Sequence, residues 1–77
     1  MAKAYEEVDV ADVRVGDLLL CRGYNEKGDY IEEDWEVVSV STRKYGRGLR
    51  YTISFDINGK HATTWYSSRQ KFGRRVG

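Results

Sequence analysis

Positively charged side chains are concentrated in the second half of the chain, and their chemistry suits an anionic partner. Residues 1–36 carry four basic and eleven acidic side chains, a net charge of −7, whereas residues 37–77 carry nine basic and one acidic, a net charge of +8. Lysine and arginine neutralise phosphates, and an aromatic ring among them offers a face on which a base can stack. The pattern predicts a nucleic-acid surface formed by a basic loop and the C-terminal strand: Arg43, Lys44, Tyr45, Arg47, Arg50, Arg69, Lys71, Arg74 and Arg75.

The same charges also have a purely structural interpretation, as a solvated surface that balances the acidic half of the molecule. An isoelectric point near 7.8 favours this interpretation, because it lies below the basic range typical of nucleic-acid-binding domains. The two interpretations differ in geometry. A binding surface requires the basic loop and the C-terminal strand to lie on one side of the fold.

Catalytic and metal-binding groups are scarce. Cys21, the only cysteine, ends the apolar run Leu18–Cys21 and is interpreted as a buried structural residue. One cysteine and one histidine, His61, cannot form a metal site without carboxylates. A chain of 77 residues also has little room for both a core and a deep cleft. We therefore predict no enzymatic activity, no cofactor and no metal, and the spacing of the acidic residues fits no calcium loop: Asp29, Glu32, Glu33, Asp34 and Glu36.

The elements that must position the basic residues are predicted to be β-strands. The β-branched segment Trp35–Ser41 is typical of a central strand, and Leu49–Ile57 alternates strictly between apolar and polar residues. Asn58–Gly59 is the strongest short hairpin signal in the chain. The remaining pattern predicts strands, turns and loops as follows: strands in Leu18–Cys21, Lys60–Tyr66 and Lys71–Val76, turns at Gly16–Asp17 and Ser67–Gln70, loops at Gly23–Asp34 and Thr42–Gly48, and a frayed segment at 1–7.

The register of the Asn58–Gly59 hairpin leaves two possibilities for Trp65. A two-residue turn pairs Ile57 with Lys60 and places Trp65 on the outer face, where it would be a binding platform. A three-residue turn with a glycine bulge places Trp65 in the core, since a slip of one residue reverses every side chain. We favour the second register, because large aromatic residues are more often buried than displayed.

This order of turns and strands resembles that of an SH3-like β-barrel, in which a short turn precedes the last strand. It is also similar to small uncharacterised SH3-like proteins encoded by actinobacterial phages. The resemblance implies one all-β domain over residues 1–77, with five or six short antiparallel strands and a binding role. The segments that mark proline-peptide binders of this fold are missing, so that activity is not implied.

Two functions from different classes follow. The first is a non-enzymatic module that binds DNA or RNA through the basic residues. The second is a protein-interaction module, for a host factor or for self-association, that uses the acidic loop or an exposed aromatic residue, Trp65 or Tyr66. No export signal and no apolar run of membrane-spanning length is present, so we expect a cytoplasmic protein without a membrane partner.

Overall fold

The computed structural model describes residues 4–76 and contains six β-strands. The chain runs through β1 (Tyr5–Asp9), a 3₁₀ turn (Val10–Asp12), β2 (Leu18–Tyr24), β3 (Tyr30–Tyr45), β4 (Gly48–Ile57), β5 (Lys60–Ser67) and β6 (Lys71–Arg75). The predicted all-β fold is confirmed. All pairings are antiparallel, and the order β1-β6-β2-β3-β4-β5 forms one curled half-barrel that is compatible with an SH3-like barrel.

The apolar core lies on the concave side of this sheet. Its largest fully buried side chains are Phe55, Leu19, Ile53, Val10 and Val37. The ring of Trp35 packs edge-on against that of Phe55, with centroids 5.4 Å apart. These residues come from β2, β3, β4 and the 3₁₀ turn, so burial of their side chains packs these four elements together.

Strand β3 is central, as the sequence predicts, but it is much longer than expected. It spans 16 residues and pairs with β2 along its first part and with β4 along its second. A bulge between Val37 and Ser39 separates the two parts and lets Val37 and Val40 both pack on the core side.

The two predicted loops were wrong over most of their lengths. Strand β2 continues to Tyr24 and β3 begins at Tyr30, so the first loop shrinks to a turn at 25–29. The basic loop shrinks to the two-residue turn Gly46–Arg47, because the polar residues before it pair with β4. Ladder hydrogen bonds to a neighbouring strand therefore outweigh the weak strand preference of these residues.

The favoured hairpin register was also wrong. Ile57 pairs with Lys60 around a two-residue turn, in which Asn58 has φ 53° and Gly59 has φ 85°. Positive φ at both central residues is the geometry that Asn-Gly adopts readily, and it sets the register for all of β5. Trp65 therefore lies opposite Thr52 on the outer face, with 58% of its surface exposed.

The ends of the chain differ from expectation in two places. Tyr5–Asp9 pairs with β6, so the segment expected to be frayed is a strand from Tyr5 onward, and residues 1–3 lie outside the described part. Val76, predicted as the last residue of the final strand, lies beyond β6 and is 57% exposed. The predicted turns at Gly16–Asp17 and Ser67–Gln70 are confirmed, and the first is held by backbone hydrogen bonds to Val37.

Candidate nucleic-acid interface

Four side chains on the outer side of β3, β4 and β5 form what we call the arginine–aromatic face: Arg43, Tyr45, Arg50 and Trp65. Arg50 lies on β4, the middle one of the three strands, with Tyr45 on β3 and Trp65 on β5. Strand alternation places these side chains on the face opposite Tyr51 and Ile53, which are buried. The core packing of β4 thus directs Arg50 outward.

Arg50 lies over both aromatic rings. Its guanidinium carbon is 4.0 Å from the ring centroid of Tyr45 and 4.2 Å from that of Trp65. Each such cation–π contact at an exposed site contributes about 0.5–1 kcal/mol, which holds the three side chains in a fixed relation. Tyr45 and Trp65 nevertheless keep 59% and 58% of their surfaces exposed. The rings are oriented by the arginine and still open to a ligand.

Arg43 pairs directly with Arg50 across the β3–β4 ladder. Two like charges at opposite positions destabilise a sheet, here by about 0.5 kcal/mol. Within residues 4–76, no carboxylate lies within ion-pair distance of either guanidinium. The pair therefore concentrates positive charge that no carboxylate among residues 4–76 compensates, and such a place attracts an anion.

The surroundings of the face are flat and rich in hydroxyl groups. Small side chains from all three strands line a shallow depression of about 500 Å³ next to Arg50 and Trp65: Ser41, Thr42, Thr52, Thr63 and Thr64. Nearby, the hydroxyls of Ser54 and Thr63 are 2.8 Å apart and hydrogen-bonded. Sequence reasoning missed these residues, although the alternation of Leu49–Ile57 signals that Thr52 and Ser54 share the face of Arg50.

Of the other basic residues predicted from the sequence near this face, Arg47 and Arg69 extend its positive charge, and Lys44 does not. Arg47 is exposed in the two-residue turn between β3 and β4. Lys44 is exposed on the side of β3 opposite to Arg43, as strand alternation requires. Arg69 lies in the turn after β5, two residues beyond Ser67, which pairs with Arg50.

The three basic residues of β6 have a different environment, which we call the β6 ion-pair row: Lys71, Arg74 and Arg75. Lys71 Nζ lies 3.4 Å from Glu7 and 3.7 Å from Asp9. The other two cations also pair with carboxylates from the first half of the chain.

Arg74 donates to Glu6 through Nε at 2.9 Å and through Nη2, and its Nη1 is 3.5 Å from Asp17. These carboxylates raise the pKa of Arg74, with the hydrogen bond to Glu6 as the main cause. Arg75 Nη1 lies 3.4 Å from the largely buried carboxylate of Asp34. Strands β2 and β3 lie between β6 and β4, so the structure does not bring the β6 ion-pair row together with the arginine–aromatic face.

The two residues predicted as an aromatic platform lie on opposite faces of β5. Trp65 belongs to the arginine–aromatic face. Tyr66 pairs with Tyr51 and packs edge-on against Phe72, with ring centroids 4.9 Å apart. Its pKa is raised, mainly by burial. A ligand that stacks on Trp65 therefore does not also contact Tyr66 on the same surface.

The sole cysteine and the sole histidine are not placed for joint chemistry. Cys21, which we expected to be buried, is half-buried on β2 opposite Glu33, whereas His61 lies on β5 opposite Asp56. Burial, with the nearby carboxylates of Glu33 and Asp34, raises the pKa of the Cys21 thiol to about 12, which disfavours the nucleophilic thiolate. In the described part of the chain, no three His, Cys, Asp or Glu residues are grouped as a metal ion would require.

Comparisons with known proteins returned no matching family model, no matching curated protein and no matching solved structure. Among residues 4–76, no helix has the length and apolar character needed to cross a membrane.

Proposed function

We propose that this chain is a small non-enzymatic binding module, built on an SH3-like half-barrel, that binds nucleic acid through the arginine–aromatic face. The observation that carries the proposal is the stacking of Arg50 between two exposed rings, with Arg43 directly opposite and no described carboxylate nearby. Phosphates would neutralise the two guanidinium groups, and bases would contact the rings.

The proposal uses only part of the basic set predicted from the sequence. Arg43, Tyr45 and Arg50 are central, and Trp65 joins them. Arg47 and Arg69 add positive charge around them, whereas Lys44 lies on the opposite side of β3. The β6 ion-pair row is assigned to stability, since its cations already have carboxylate partners. The resemblance to small proteins of actinobacterial phages has no support from the comparisons and stays a prediction.

Electrophoretic retardation at low salt tests the proposal. We expect the protein to retard short DNA or RNA, and added salt to weaken binding steeply because bound cations are released from the phosphates. Replacing Arg43 and Arg47 together by alanine should abolish retardation, whereas replacing Arg22 and Lys71, which removes the same charge, should not. If no nucleic acid is retarded at low salt, the proposal is wrong.

Self-association is the second candidate, and one feature of the outer face favours it. Glu36 pairs with Asp56 at one end of the β3–β4 ladder, and Arg43 pairs with Arg50 at the other. One part of the ladder is therefore negative and the other positive, so the negative part of one molecule could bind the positive part of the next, head to tail. Sedimentation velocity at low salt would then detect oligomers that dissociate as salt is added, and a monomer at every salt concentration would exclude them.

A further inference from the structure

We infer that the arginine–aromatic face selects single-stranded over duplex nucleic acid, by stacking unpaired bases on Tyr45 and Trp65. This inference rests on the proposed function and adds the class of ligand. The inference depends on stacking of bases on the exposed rings, whereas the proposed function depends on attraction between the arginines and phosphates.

The two rings are placed where a backbone would pass. Both centroids lie within about 4 Å of the same guanidinium carbon, so any phosphate that approaches Arg50 brings its attached bases close to an aromatic face. In a duplex the base faces are already covered by neighbouring base pairs, and only edges and phosphates are accessible. Exposed rings contribute binding energy only when the bases are unstacked, as in a single strand.

The shape of the surface supports the same ligand. Arg50 stacks on part of the indole of Trp65, and the other neighbours on this face are the short hydroxyl residues Thr52 and Thr63. The indole keeps 58% of its surface exposed, so a base can stack on the part that Arg50 does not cover. The hydroxyls of the two threonines can donate to and accept from base edges without selecting one base. The expected recognition is therefore tolerant of sequence.

The positive charge is also confined to a short length of the sheet. Arg43 and Arg50 lie near the β3–β4 turn, whereas the outer face ends at the other side in the carboxylates of Glu36 and Asp56. A long duplex that followed the strands would bring its phosphates against these carboxylates. A flexible single strand can turn away from them and keep its contacts with the basic end.

Tryptophan fluorescence gives a direct test, because the chain has two tryptophans in contrasting places. A Trp35→Phe variant keeps Trp65 as the only reporter, and Trp65→Phe keeps only Trp35, whose ring packs on Phe55. The probes are a short oligothymidylate, an oligouridylate of the same length and a hairpin duplex with the same number of phosphates. Both single strands should quench the Trp35→Phe protein and leave the Trp65→Phe protein nearly unchanged. The two single strands also distinguish DNA from RNA.

Affinities complete the test. Single strands should bind roughly tenfold more tightly than the duplex, and Trp65→Ala should remove most of that difference by weakening single-strand binding far more than duplex binding. Tyr45→Ala gives an independent check, and circular dichroism verifies that each variant is folded. Equal affinity for single strands and duplex, without quenching of Trp65, overturns the inference and leaves the proposed function standing. Polyglutamate that binds as tightly as oligothymidylate overturns it as well, and failure of every nucleic acid to bind refutes the proposed function.

Discussion

Two sets of cations in this small protein have opposite surroundings. In the β6 ion-pair row, every cation lies within 4.0 Å of a carboxylate from the first half of the chain. On the arginine–aromatic face, Arg43 and Arg50 oppose each other with two aromatic rings beside them and no described carboxylate within that distance. The positive charge of residues 37–77, which the sequence presents as one set, is therefore divided between two different environments.

This difference teaches that ion pairing, and not the count of basic residues, identifies the candidate site. Cations that satisfy carboxylates within the same chain have little electrostatic attraction left for a ligand. Cations that repel each other reduce stability slightly, and a bound anion relieves that repulsion. Substitutions in the β6 ion-pair row are thus expected to change the stability of the fold, and substitutions on the arginine–aromatic face are expected to change the affinity for a ligand.

The largest expected effect concerns the reactivity of Cys21, which lines a cavity beside β6 together with Trp35, Tyr66 and Phe72. Its pKa is raised to about 12 from an ordinary value of 9.0, chiefly by burial. Each unit reduces the thiolate fraction tenfold, so alkylation by iodoacetamide at neutral pH should be slower than in the denatured chain by up to roughly three orders of magnitude. Mass spectrometry over time measures the two rates.

The same shift predicts a loss of stability at alkaline pH. The folded state holds the thiol proton more tightly than the unfolded state, so this contribution is fully present below about pH 9. It declines as the pH rises from there toward 12. Cys21→Ala should flatten the plot of unfolding free energy against pH in that range.

Equal rates of Cys21 alkylation in the folded and denatured protein would show that this side of the sheet is as open to solvent as the arginine–aromatic face.

The next effect is on binding. Replacing Arg43 and Arg50 by alanine should weaken the affinity for oligothymidylate roughly 10- to 100-fold at low salt, because both phosphate contacts and the ring-orienting guanidinium are lost. Fluorescence anisotropy measures the dissociation constants. Arg22→Ala with Lys71→Ala is the matched control, since it removes the same charge from two cations that pair with carboxylates. Similar losses in both variants would mean that net charge alone determines binding.

A smaller effect is expected on thermal stability. Arg74→Ala removes the contacts with Glu6 and Asp17 and should lower Tm by a few degrees. Arg43→Ala removes one of two opposed like charges and should leave Tm unchanged or raise it slightly. Thermal denaturation followed by circular dichroism compares them. If Arg43→Ala lowered Tm more than Arg74→Ala, the assignment of the β6 ion-pair row to stability and of the arginine–aromatic face to binding would be contradicted.

The smallest effect is on the salt dependence of binding. The logarithm of the affinity should fall linearly with the logarithm of the salt concentration, with a slope set by the number of neutralised phosphates. Arg43→Ala should reduce the magnitude of that slope by about one, and Lys71→Ala should leave it unchanged. A reduced slope in the Lys71 variant would place β6 in the interface.

The fold class and the central strand could be predicted from the sequence because burial leaves a period-two pattern. Leu49–Ile57 alternates, and its central apolar residues Tyr51, Ile53 and Phe55 are buried, whereas Leu49 at its start is 43% exposed. The lengths of the strands could not be predicted, since polar residues such as Arg43 and Lys44 are held in β3 by backbone pairing with β4.

The position of Trp65 shows why the site was only half predictable. The local signal was correct, because Asn58–Gly59 formed the two-residue turn that its sequence favours. The preference for a buried tryptophan was wrong, since Tyr66 occupies the inward position and Arg50 covers part of the indole. Ion pairing of β6 with β1 depends on contacts between the two ends of the chain, and no local pattern reveals such contacts.

Chemical-shift perturbation in ¹H–¹⁵N spectra, during titration with oligothymidylate, tests the central claim most directly. We predict that the indole N–H of Trp65 and the backbone signals of Arg43 and Arg50 shift, whereas the indole of Trp35 and the backbone signals of Lys71 and Arg74 stay in place. Shifts confined to β6, or no shift at any residue, would contradict the assignment of the arginine–aromatic face as the nucleic-acid surface.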